Sequence, residues 1–171
     1  MKTTVNLVIA IVFAAMCSNV SAQTPPKFAY IDINELIVTM PDYDSAMVQL
    51  QRFGQVLQDE IENAHVEINR LIDNFQRNQE SMTDLVRNVR IEEIQHAQQR
   101  LEMFQERAQE DFGQKQQELM QPVFEKANRA IDAVAMQQGI DFVLSAQAIH
   151  FKSATTIDLL PAVKQHLGIR N

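Results

Sequence analysis

The chain has 171 residues, a formal net charge of −7, 46% hydrophobic and 6% aromatic residues, no Trp, four Gly and one Cys. Scarce turn formers and aromatics, with Gln, Glu and Arg crowding the middle, exclude the composition of an ordinary globular enzyme and require few turns and long helices. The acidic balance excludes a general nucleic-acid binder, which needs a basic face to compete for phosphates.

Lys2 precedes an apolar run from Leu7 to Met16, and Val20-Ser21-Ala22 places small or β-branched residues before Gln23. That order predicts a cleaved export signal over 1–22. The run is too short to span a bilayer, which takes roughly 18 to 20 apolar residues. Cys17 raises the rival reading of a lipoprotein signal, but Met16 stands where that peptidase takes Gly, Ala or Ser. Cleavage after Ala22 leaves no cysteine, so neither a disulfide nor a thiolate nucleophile belongs to the mature function.

Lys27 to Ile33 alternates in the manner of a short buried strand, and a helical turn or two from Asn34 to Met40 is stopped at Pro41. From Tyr43 to Asn88 there is no proline and one glycine, Gly54, while apolar residues recur in steps of three and four: Leu50, Phe53, Leu57, Ile61, Ala64, Ile68, Leu71, Phe75, then Met82, Leu85 and Val89. This is the narrow seam of a helix that pairs with another rod. Ile94, Ala97, Leu101, Phe104, Ala108, Phe112 and Leu119 keep nearly the same step on the returning rod, with Gly139 as its C-cap. The turn is placed within Ser81 to Asn88, where Ser81 or Thr83 can cap. Gly54, Gly113 and Pro122 are read as points where the arms bend.

Beyond Gly139, Ile140 to Leu144 reads as a strand, Ser145 to Ala148 as a turn and Ile149 to Lys152 as a second strand. A last helix, capped by Thr155 or Thr156 and with Asp158 in its first turn, runs towards Leu167. The predicted fold is mainly α with a small β body: an antiparallel helical-hairpin arm over 42–138 projects from a discontinuous body made of 23–41 and 139–171. All the net charge of the exported chain sits on the arm, with ten Lys and Arg against eighteen Asp and Glu between Asp42 and Gln138. The two flanks hold 52 residues, fewer than the roughly 70 to 80 that sustain a core without staples. Oligomerisation is the simplest remedy, and Phe28, Tyr30, Ile31, Ile33, Ile140, Phe142 and Leu144 are expected to pack or pair across subunits.

Chemistry is hard to find. His65, His96, His150 and His166 fall in no metal-ligand spacing, and the paired carboxylates Asp59 with Glu60, Glu92 with Glu93 and Glu110 with Asp111 stand on solvated rods rather than in a cleft. No nucleophile elbow, phosphate loop or dinucleotide fingerprint is present, so no enzyme activity, metal or cofactor is expected. Most Met and Phe residues in step fill the seam. Met103 and Met120 lie off it and, with Met82, offer an adaptable apolar surface to a client. Arg77, Arg87 and Arg90 make the tip locally basic against Glu80 and Asp84, which suits an acidic client or the headgroups of a membrane surface.

Phe28 to Tyr43 (FAYIDINELIVTMPDY) and Gly139 to Ile149 (GIDFVLSAQAI) resemble the two ends of the Skp/OmpH-like periplasmic chaperones. The resemblance covers essentially all of the chain after Ala22. It implies a homotrimer joined through its β body, with three helical hairpins around a cavity that holds unfolded outer-membrane β-barrel precursors without ATP. Some members are strongly basic and linked to lipopolysaccharide, whereas this arm carries −8, so no lipopolysaccharide site is carried over. The alternative, a coiled-coil spacer of the cell envelope, calls for a stiff rod and a retained anchor, which Pro122, Gly113 and Met16 disfavour.

Overall fold

The computed structural model describes residues 25–169; the expected export signal over 1–22 lies outside the described residues. Strand β1 (Phe28–Ile31) leads into a short helix, α1 (Ile33–Val38). The side chain of Asp32 starts that helix by accepting the N–H groups of Asn34 at 3.0 Å and Glu35 at 3.1 Å. The Glu35 N–H first, then the Gln147 side chain and the Asn34 N–H, hold its carboxyl below the ordinary carboxylate value. Met40 is extended, as a residue before proline must be, and Pro41 opens the long helix α2 (Pro41–Asn78) at the position where its missing N–H costs nothing.

Helix α2 spans about 57 Å at 1.5 Å per residue, and its partner α3 (Asp84–Gln138), with 55 residues, spans about 82 Å. The turn joining them is a 3-10 turn at Gln79–Ser81, followed by Thr83, whose Oγ1 accepts the N–H of Val86. The turn therefore falls ahead of most of the expected window, and Leu85 to Asn88 already belong to α3. Lacking glycine and proline, it is closed by side chains. Ser81 Oγ donates to the Asn78 carbonyl, and the Arg87 guanidinium donates to the carbonyls of Gln79 and Met82.

Helix α3 runs through Gly113 and Pro122 as one helix, and α2 through Gly54. No break marks any of the three expected bending points. The proline leaves the Glu118 carbonyl without its helical donor, and Glu118 and Pro122 line an open cleft with Pro41, Ser45 and Gln49, where water can serve it. Gly139 closes α3 in the left-handed region at φ 63°, and the Ile140 N–H bonds back to the Ala135 carbonyl.

The chain ends in β2 (Phe142–Ser145), a two-residue strand β3 (Ile157–Asp158) and helix α4 (Leu160–His166). The sheet order is β2-β1-β3 with every pair parallel, Phe28 opposite Phe142, Tyr30 opposite Leu144 and Tyr30 opposite Asp158. Two expectations fail here. Ile149 to Lys152 is irregular rather than a strand, and the last helix begins at Leu160, so Thr155 and Thr156 do not cap it. Asp158 is a strand residue whose Oδ1 accepts the N–H of Leu160 at 3.0 Å.

Ala29 and Ile31 of β1, Leu36 and Ile37 of α1, Met40, and Leu159, Leu160 and Val163 pack on one face of α3, from Val123 through Ala127 to Ala135. The body's core thus takes a large share of its residues from the stretch assigned to the arm, which lessens the shortage that 52 residues imply. Farther out a second cluster, Ile68, Ala97 and Leu101 with Ile61 and Ala64 against it, holds α2 to α3 along the expected seam.

At the arm's base Lys126 Nζ donates to Asp42 Oδ2 at 2.7 Å, tying α2 to α3. That contact holds the Asp42 carboxyl below its ordinary value of 3.8. A carboxyl lowered on folding stabilises above its unfolded value and loses that contribution as pH falls through the folded one. Asp42→Asn is therefore expected to melt slightly below the parent at pH 7, by less than about 1 kcal/mol for so exposed a pair, and to converge with it below pH 3.8. Thermal melts of both at pH 7 and pH 3 check this; a constant gap would contradict it.

Candidate functional site

Side chains alternate across a strand, so β1 turns Ala29 and Ile31 inward and Phe28 and Tyr30 outward. On the outer side the Phe28 and Phe142 rings stack at 5.2 Å between centroids. Phe28 is 49% exposed, Phe142 54% and Leu144 44%. Tyr30, half-buried, donates its hydroxyl to Asp158 Oδ2 at 3.1 Å, and Lys152 Nζ lies 4.0 Å over its ring while donating to its oxygen. Next to Lys152 in the chain, Phe151 stands 85% exposed on an irregular segment. A parallel sheet normally has both faces covered. Among the described residues only one face of this sheet is packed over by helices, and the other, crossed by Lys152 at Tyr30, is largely aromatic and about half exposed.

Four of the seven residues expected to join subunits, Phe28, Tyr30, Phe142 and Leu144, share that face. The other three do not. Ile31 and Ile140 are buried in the subunit's own core and Ile33 packs against it, because β1 alternates and Ile140 precedes the strand. Phe151 escaped the sequence reading, since it lay in a segment taken for an ordinary strand.

The arm residues also sort themselves. Met103 is exposed on α3, and Met82 is half-buried at the turn. Met120, half-buried, packs against the body's core; α3 there is already part of the body. Arg77 pairs with Asp73, Arg87 with Asp84 and Arg90 with Glu93, all within one helix turn. The tip's positive charge is thus matched locally, and Arg87 is a clasp of the turn rather than a free cation. Leu85 and Val89, assigned to the seam, are exposed, as is Val86. The early turn shifts the phase of α3, which places these three on the outer side of its first turns.

Gly54 is a point of close approach: a Cβ there would lie 3.1 Å from the Phe112 ring. Gly113 has open space around it. Among the described residues no three His, Cys, Asp or Glu come together as a metal site, no side-chain polar atom is buried without a partner, and no helix is long and apolar enough to cross a membrane. The arrangement is suited to holding apolar surfaces, on the sheet and along the arm.

A family model described as "Outer membrane protein (OmpH-like)" matches residues 27–167. A search of curated proteins finds no match. Among solved structures, the chain is similar to a crystal structure from Caulobacter crescentus CB15 described as an OmpH-like outer membrane chaperone. The TM-score is 0.75 and the identity 12%, covering 85% of this chain and 86% of that one. At that identity the likeness is one of fold, and it extends over both body and arm.

Proposed function

Because the chain belongs to the OmpH-like outer membrane protein family, we propose that it is an ATP-independent holdase chaperone of the periplasm. In this reading three chains join through their aromatic sheet faces, and unfolded β-barrel precursors are kept apart from one another in the cavity between the arms. The observation that carries it is the apolar surface left over along the arm after the seam is formed: Leu85, Val86, Val89 and Met103 are exposed on helices otherwise faced with Gln, Glu and Arg. Each such side chain gains at most about 1.5 to 3 kcal/mol on burial. Contacts of that size, scattered along a rod, hold a precursor collectively and release it singly, with no fuel. Shielding matters more than affinity, because unpaired apolar strands aggregate.

The test is dilution of a urea-unfolded outer-membrane β-barrel protein into nucleotide-free buffer, followed by turbidity. Suppression near one assembly per precursor is expected. Deleting residues 54–114, which removes the arm beyond the body's core, is expected to abolish it. Equal protection by the deletion variant would overturn the arm's role as the holding surface.

A further inference from the structure

Between the body's core and the distal seam cluster, α2 and α3 leave an open groove of about 660 Å³. Its floor is apolar, formed by Gly54, Leu57, Ala108 and Phe112, and Gln58, Gln105 and Gln109 stand in its wall. The groove exists because two small residues line it. With no side chain at Gly54, the Phe112 ring lies close against α2, where a Cβ would come within 3.1 Å of it.

No charged residue lines this groove, although the arm carries eight more acidic than basic residues. Its neighbours differ: the distal groove has Glu60, Glu67 and Arg100 in its wall, and the basal cleft Asp42 and Glu118. We propose that the Gly54–Phe112 groove takes an uncharged, extended segment of an unfolded precursor with apolar residues at alternate positions. This rests on the chaperone reading and names the site within it.

The chemistry of wall and floor selects that occupant. From residue 54 to 61 a helix advances about 10 Å, the length of about three extended residues at 3.3 Å each. The first and third of these turn their side chains to the same side, onto the apolar floor. An extended segment also brings unpaired N–H and C=O groups that lose water as it docks. A glutamine amide both donates and accepts, so a Gln wall serves either group without favouring a charge. Strands destined for a membrane barrel alternate apolar and polar residues in this period, and their apolar members are uncharged.

The test uses the whole exported chain and a urea-unfolded outer-membrane β-barrel protein. A photo-crosslinking residue replaces Gln58 or Gln109, or Gln99 as an exposed position outside the groove. A separate double variant, Gln58→Glu with Gln109→Glu, puts charge on the wall at surface positions. Crosslinks from 58 and 109 to alternating apolar segments, few from 99, and about tenfold weaker precursor binding by the double variant are expected, since a carboxylate desolvates poorly against an apolar ligand. Undiminished aggregation suppression with no preference for 58 and 109, or with unchanged binding by the double variant, overturns the groove and leaves the chaperone reading standing. Failure of the parent chain to suppress aggregation overturns both.

Discussion

Replacing Phe28 and Phe142 together by Ser is expected to turn the proposed trimer into single chains that keep their helical circular dichroism. The two rings stack on the side of the sheet that faces away from the core and are about half exposed. Removing them therefore costs the isolated subunit little. Across an interface the same rings contribute about 1.5 to 3 kcal/mol each, and a cyclic trimer repeats the loss at every contact. Mass by in-line light scattering gives the answer. An unchanged oligomer would move the interface elsewhere, to the exposed Phe151 segment or the strand edges.

Leu36→Ala is expected to be the most damaging single core truncation in the body. Leu36 is fully buried on a six-residue helix wedged between α3 and the C-terminal segment. Truncations of this kind cost about 2 to 5 kcal/mol, with the larger values where the site cannot collapse, against a total stability of about 5 to 15 kcal/mol. Val38→Ala, on the same helix but exposed, serves as control and is expected to change stability by less than about 0.5 kcal/mol. Urea titration of the two variants checks the contrast; a loss below about 1 kcal/mol for Leu36→Ala would mean that α1 is not integral to the body.

The long elements were legible because their signals are dense. Dozens of residues without proline, with apolar steps of three and four, leave only a paired helix as a solution, and Gly139 and Pro41 mark its ends for backbone reasons. The C-terminal segment was less legible because its strands are held from outside. Ile157 and Asp158 form a strand because β1 offers them an edge, whereas Ile149 to Lys152, with stronger strand composition, finds no partner among the described residues. At the tip, the Arg87 guanidinium closes the turn in place of the glycine or proline that marks turns in a sequence, so the turn comes earlier than composition indicates and Leu85 and Val89 are exposed rather than in the seam. On the sheet, the period of two sets Ile31 on the opposite face from Phe28 and Tyr30, so the seven residues expected to join subunits do not form one surface. The body's core climbs α3 past the point where its own sequence segment begins and so reaches Met120.

The trimeric holding cavity is tested by the mass of the soluble complex formed when a urea-unfolded β-barrel precursor is diluted into the exported chain, measured by light scattering in line with size exclusion. Three chains with one precursor in a single soluble peak is the expected result. A monomer or dimer eluting alone, with the precursor lost to aggregate, would contradict both the trimeric body and the holding cavity, and would favour a coiled-coil spacer of the cell envelope.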